Sequence, residues 1–177
     1  MSDFPNKQFN GTTYTFGHLV PLSLEVPLVV SGEPLTVPVN VTFGCHCFTE
    51  EFNEAVHLEH HRYAHRHEVR AFDLTRYQCS LQLPKVVQGI TSGRIYLADQ
   101  SYTYVAQIPL PPACGLESYS LFFSLNKKRN AQAPAAEMYL KSAYLAPLKS
   151  KKNAQSWRFA ALVGQAAGAF PPAEKRK

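Results

Sequence analysis

The sequence has no apolar run approaching the ~18 residues that a membrane-spanning helix needs. Its start, MSDFPNKQFNGTTYTF, has neither a basic first segment nor an apolar core, so no secretory signal is read there. There is no GxxxxGK[ST] loop, no GxGxxG turn, no HExxH and no GxSxG elbow. These absences argue against P-loop nucleotide hydrolysis and Rossmann redox chemistry. No pair of carboxylates stands out for glycosidase or two-metal work. Cysteine is scarce, with four in 177 residues. A cytoplasmic address is the expectation, and there Cys45, Cys47, Cys79 and Cys114 are free or metal-bound rather than disulfide-paired.

What the sequence does have is a split of charge. Residues 1–120 carry 11 acidic and 7 basic side chains, whereas residues 121–177 carry 2 acidic and 11 basic ones. The basic set includes Lys127, Lys128, Arg129, Lys141, Lys149, Lys151, Lys152, Arg158, Lys175, Arg176 and Lys177. The overall charge of +5 hides this polarity. A sign split of this kind fits an anionic partner, RNA or DNA first, as well as ordinary surface lysines and a solubility tail.

The patterning predicts an α+β fold: an antiparallel β-meander packed on one or two helices, with an additional N-terminal β-hairpin. Residues 1–167 read as one domain and 168–177 as a flexible basic tail. Val20, Leu22, Leu24 and Val26 alternate, as do Val37, Val39, Val41 and Phe43, with Ser31-Gly32-Glu33-Pro34 as the turn between them. A short strand is expected at Thr12–Phe16. Residues 49–61 read as a short helix capped by Thr49, and 62–68 as an exposed loop. Val69–Leu74 reads as a strand and Thr75–Ile90 as the main helix, interrupted at Pro84. Four more runs follow, at Tyr102–Ile108, Tyr119–Leu125, Met138–Tyr144 and Trp157–Val163, and all four read as strands.

The residues that could carry chemistry cluster in three places. Cys45-His46-Cys47 ends a strand, and an imidazole there suits general acid–base work; a packed or solvated histidine fits the same pattern. His57, His60, His61, His65 and His67 crowd one stretch. His57 and His61 could join Cys45 or Cys47 around zinc, although the spacing matches no standard finger, and the stretch reads equally as a solvated, partly cationic loop. No metal or cofactor is called for. Arg70 and Arg76 offer forks for phosphate, or pair with Asp73 or Glu68 at the surface. On the late strands Lys127, Lys128, Arg129 and Lys141 lie among tyrosines, a pattern that neutralises phosphates and stacks bases. The same tyrosines also suit simple packing on a helix.

The order His46-Cys47-Phe48-Thr49, Arg70-x-Phe72-x3-Arg76-Tyr77-x2-Ser80-x2-Leu83-Pro84, Phe122-Phe123 and Lys141-Ser142-Ala143-Tyr144 resembles a family of small bacterial prophage and mobile-element proteins labelled stationary phase growth adaptation protein. A more remote likeness is to the barnase, EndoU, colicin and RelE-like nucleases. That likeness implies a toxin-like or defence-associated, metal-independent endoribonuclease with a cyclic phosphate product. His46, Arg76, Tyr144 and Ser142 would be its catalytic set, with Arg70, Lys127, Lys128, Arg129 and Lys141 on the RNA. It also implies a protein partner such as an antitoxin or immunity protein; the lack of a long apolar run sets the expectation of no membrane. The other reading is a non-catalytic nucleic-acid-binding or adaptor protein of a phage or mobile-element system.

Overall fold

The structure is a computed structural model, and it describes residues 3–98, 101–109, 116–146 and 156–170. It is α+β. The first strands, β1 (Lys7–Phe9) and β2 (Thr12–Tyr14), form a small antiparallel hairpin. Next come β3 (Leu22–Val30) and β4 (Glu33–His46), paired antiparallel from Leu22–Val41 to Val30–Glu33. Ser31 and Gly32 turn this hairpin with φ of 53° and 90°, the double left-handed turn that matches the twist of the flanking strands.

In the meander, β9 (Ser101–Pro109), β10 (Leu116–Lys127) and β11 (Ala136–Leu145) follow the predicted runs, and β8 (Arg94–Ala98) adds a strand that no predicted run covers. The predicted hairpin and meander are one sheet. β11 pairs with β4 in parallel, so with β12 (Ser156–Arg158) seven strands stand in the order β12-β8-β9-β10-β11-β4-β3. Every other pairing in that sheet is antiparallel.

Three sequence readings are corrected here. The predicted strand Trp157–Val163 is strand only in β12 (Ser156–Arg158) and then becomes helix α3 (Phe159–Ala167). Its buried residues, Phe159, Leu162, Val163 and Ala167, have helical spacing. α3 packs across β3, β4, β10 and β11, with Phe159 edge-on to Phe123. It ends at Gly168, which is left-handed at φ 70°, while Ala169 N–H bonds to Gly164 C=O.

The predicted helix 49–61 does not form. Thr49 is fully buried, and β5 (Thr49–Glu51) pairs with β7 (Glu68–Phe72). Asn53 then turns the chain, its side-chain oxygen accepting from Ala55 N–H at 2.9 Å, a local bond that competes with helix. Only a single 3-10 turn remains at Glu59–His61.

The predicted loop 62–68 is mostly strand. β6 (Arg62–His65) and β7 form a hairpin turned at Arg66-His67, with Arg66 at φ 55°. Tyr63 drives this strand into the core, where it meets Phe16 and Phe48 at ring distances of 5.7 and 5.1 Å. Phe16 and Phe48 stand 4.1 Å apart, so the N-terminal arm is sealed onto the three-stranded sheet β5-β7-β6.

The main helical segment splits as Pro84 requires, into α1 (Leu74–Ser80) and α2 (Leu83–Gly89). Asp73 caps α1, its carboxylate accepting from Arg76 N–H at 2.7 Å. Among the described residues no helix is long and apolar enough to cross a membrane. Of the predicted basic tail, Gly168, Ala169 and Phe170 close α3, and residues 171–177 lie outside the described residues.

Candidate functional site

The end of β4 is held open by a glycine. A Cβ on Gly44 would stand 2.7 Å from the Lys141 carbonyl and 2.6 Å from the Tyr139 hydroxyl, so only glycine lets β4 lie this close to β11. From there the chain turns tightly, Cys47 N–H bonding to Gly44 C=O and Phe48 N–H to Cys45 C=O. The Thr49 hydroxyl donates to Cys45 C=O at 2.8 Å and accepts from Arg70 Nε at 2.9 Å. The 44–49 turn is thus tied to itself and to β7.

His46 sits on this turn. Its Nε2 lies 2.8 Å from Glu68 Oε2, with side-chain exposures of 21% and 54% respectively. Cys45 Sγ lies 3.6 Å from the same carboxylate oxygen. Cys45 is buried and His46 is half-buried on the opposite face of the strand end, yet Glu68 reaches both. The hydrogen bond from His46, above all, holds the Glu68 carboxyl below its usual pKa. Burial, followed by the nearby Glu68 charge, pushes the Cys45 thiol up to about 11. Burial pushes Cys47 up to about 12.

The predicted catalytic residues meet here. Ser142 is the register partner of His46 across the parallel β4–β11 seam, next to a bulge at Lys141. The Arg76 guanidinium stands 4.9 Å from the centre of the Tyr144 ring, which stacks on Phe122 at 5.0 Å. Arg76 Nη1 donates to Thr49 C=O at 2.8 Å and reaches toward His46 C=O at 3.5 Å. Arg76 therefore clamps the backbone that carries His46. This placement makes it a positioning group rather than a free phosphate fork.

The predicted RNA-binding cations divide. Arg70 lies beside Thr49 and within electrostatic reach of Cys45 and Glu68. Lys141 is exposed at the bulge beside the seam. Lys127, Lys128 and Arg129 are elsewhere. Ser120 faces Tyr144, whereas Lys127 faces Ala136 at the other end of the same ladder, ~23 Å away at strand rise. The Lys127 ammonium borders Gly168 at the C-terminal end of α3, a favourable place for a cation. The late cations and His46 do not share one groove. Lys149, Lys151, Lys152, Lys175, Arg176 and Lys177 lie outside the described residues.

The zinc set suggested by spacing does not assemble. His57 Nε2 bonds Glu50 Oε1 at 2.8 Å, and its Nδ1 accepts from Asn53 N–H. His61 bonds the Leu58 backbone. Cys47 is fully buried, with its sulfur 3.7 Å from Leu140 C=O. Cys45, Cys47 and Cys79 are free, and Cys114 lies outside the described residues.

Sequence reasoning missed Glu68 and the role of Cys45 beside it. No local signal links Glu68 to His46, because the contact exists only once the β6–β7 hairpin folds back on β4. A cleft of about 410 Å3 opens at this point, lined by Leu19, Gly44, Cys45, His65, Glu68 and Tyr139.

A turn clamped by partly buried arginine contacts carries an imidazole bonded to Glu68, a carboxylate that with Cys45 lines the cleft, and these groups define a compact polar site on an α+β frame. The chain belongs to the YjaZ family, whose sequence model matches residues 6–167. No curated protein and no solved structure matches the chain.

Proposed function

We propose that this protein is a metal-independent endoribonuclease, toxin-like or defence-associated, acting in the cytoplasm. The observation that supports it best is the 2.8 Å bond between His46 Nε2 and Glu68 Oε2. An ionised carboxylate fixes the Nε2–H tautomer, so Nδ1 keeps its lone pair for a proton. In this reading Nδ1 removes the proton of an RNA 2′-hydroxyl. The 2′-oxygen attacks the adjacent phosphorus, the bond from phosphorus to the 5′-oxygen breaks, and the imidazolium returns its proton to that oxygen. The products are a 2′,3′-cyclic phosphate and a 5′-hydroxyl. Arg70 and Lys141 oppose the charge gathering on the phosphate, Ser142 and Tyr144 orient it, and Arg76 positions the turn. A toxin of this type needs a neutralising protein partner, such as an antitoxin or immunity protein, and a prophage or mobile-element setting suits that pairing. Three buried free thiols suit a reducing compartment.

The test is cleavage of tRNA and mRNA by EDTA-treated protein, with end-group analysis. His46→Ala and Glu68→Gln should remove at least ~100-fold of the activity, in line with general-base catalysis, and 2′-deoxy substrates should survive. Intact RNA at stoichiometric protein would sink the proposal. The second reading, binding without turnover, is favoured by Lys127, Lys128 and Arg129 lying far from His46. It predicts a log affinity that falls linearly with log salt, with a slope reduced by about one for each of these cations removed.

A further inference from the structure

The cluster around Glu68 has a second chemical capacity. Cys45 Sγ, His46 Nε2 and a Glu68 oxygen all lie within 4.8 Å of one another. Tetrahedral zinc with ligand bonds of ~2.0–2.3 Å sets donor–donor edges of about 3.3–3.8 Å. The Cys45–Glu68 separation of 3.6 Å already fits such an edge, and the His46–Glu68 pair at 2.8 Å needs to open by about half an ångström. Cys45 is buried in the protein but lines the cleft, so an ion can reach its sulfur. The donor set, one thiolate, one imidazole and one carboxylate, is a zinc set rather than a magnesium or calcium set. A dication with thiolate and carboxylate sums to zero charge, so the neighbouring Arg70 guanidinium faces no excess positive charge.

We propose that Cys45, His46 and Glu68 form an inhibitory Zn2+ site, with its fourth position open to the cleft. Binding exchanges protons for metal. The Cys45 thiol releases its proton to solvent, and His46 moves its ring proton from Nε2 to Nδ1 as Nε2 takes the ion. The lone pair that serves RNA cleavage is thereby protonated and the carboxylate partner withdrawn. The inhibitory consequence rests on the nuclease reading; the metal site does not.

The experiment separates the two. Full-length protein stripped with EDTA is titrated with Co2+ alone. The expected result is one equivalent bound with a thiolate-to-cobalt charge-transfer band in the near ultraviolet and strong tetrahedral bands in the visible, both erased by one equivalent of Zn2+. Cys45→Ser should abolish the charge-transfer band, Glu68→Gln should weaken cobalt binding at least tenfold, and Cys47→Ser should keep the band. Should Cys45→Ser fail to fold, peptide mapping of the wild-type protein decides, since Zn2+ should slow alkylation of Cys45 and leave Cys79 unaffected. Absence of the band at millimolar Co2+, its survival in folded Cys45→Ser, or equal alkylation of Cys45 with and without Zn2+ overturns the site. In parallel, Zn2+ should halt RNA cleavage and EDTA restore it. A band without any cleavage leaves the site standing and removes the nuclease reading, whereas cleavage in EDTA without a band does the reverse.

Discussion

Arg76 offers the sharpest test of how the site is held. Replacing it with alanine removes a charged hydrogen bond to Thr49 C=O at 2.8 Å and a guanidinium 4.9 Å from the Tyr144 ring centre. Hydrogen bonds to charged groups contribute ~1.5–3 kcal/mol, and a partly desolvated cation–π contact ~0.5–2 kcal/mol. The sum is about 2–5 kcal/mol, shared between the turn and the β10–β11 surface. Lysine keeps the charge but loses the planar fork, so Arg76→Lys should recover about half of that. Trp157, the only tryptophan, reports unfolding in urea by its fluorescence. With a slope of ~2 kcal/mol/M, the midpoint should fall by ~1–2.5 M in Arg76→Ala and by roughly half that in Arg76→Lys. A cycle with Tyr144→Leu should return a coupling of about 0.5–1 kcal/mol, because the two side chains touch. An Arg76→Ala midpoint within ~0.3 M of wild type, or a coupling near zero, would refute the clamp. If the proposed nuclease reading holds and the clamp orients His46, Arg76→Lys should also lower RNA cleavage under conditions where the protein stays folded.

Other outcomes follow from the same geometry. Gly44→Ala drives a Cβ to 2.7 Å from the Lys141 carbonyl and should cost ~1–3 kcal/mol; Tyr139→Phe in the same chain should not restore it, since the backbone carbonyl remains, and an unchanged urea midpoint in Gly44→Ala counts against the tight seam. The Cys45 thiol, raised from 9.0 to about 11, should alkylate ~100-fold more slowly near neutrality than an unperturbed thiol, and a rate matching that of a free thiol would contradict its burial. Because the unfolded thiol ionises near 9.0 and the folded one only at about 11, stability from this group is intact below pH 9 and lost as pH rises between those values. Glu68 has the opposite sign: its lowered pKa adds stability that is present above 4.5 and lost as pH falls through the folded value. Acid unfolding of Glu68→Gln should therefore be less pH-sensitive than that of wild type, and superimposable acid curves would show that the His46 bond contributes nothing.

The sequence carried the parts of this fold that rest on short-range pattern. Alternation in β3, β4, β10 and β11 and the break at Pro84 are local consequences of period and backbone chemistry, and they are all present. The failures also have local causes. Apolar alternation from Trp157 to Val163 coexists with helical spacing at Phe159, Leu162 and Val163, so the run is legible both ways. The 62–72 hairpin turns on Arg66-His67, which lacks glycine, asparagine or proline to announce it. Acidic residues after Thr49 imitate a helix start, but the Thr49 hydroxyl is committed to Cys45 C=O and Arg70. Within the site, His46, Arg76, Ser142 and Tyr144 were grouped by likeness, and the β4–β11 register and the Arg76 contacts bring them into one neighbourhood. Glu68 was not legible, since its partners are chosen by tertiary folding. The nuclease likeness put Lys127, Lys128 and Arg129 on the same RNA as His46, yet strand direction sends them to the far end of the ladder.

The parallel pairing of β4 with β11 has a temporal meaning. Its partners, such as His46 and Ser142, stand roughly a hundred positions apart along the chain, a separation whose closure is slow and must be complete before any native reward arrives. A nascent polypeptide extruded as far as β10 holds His46, Glu68 and Arg76 but has no strand to set them against. The site is therefore completed only when β11 has been made and has found β4.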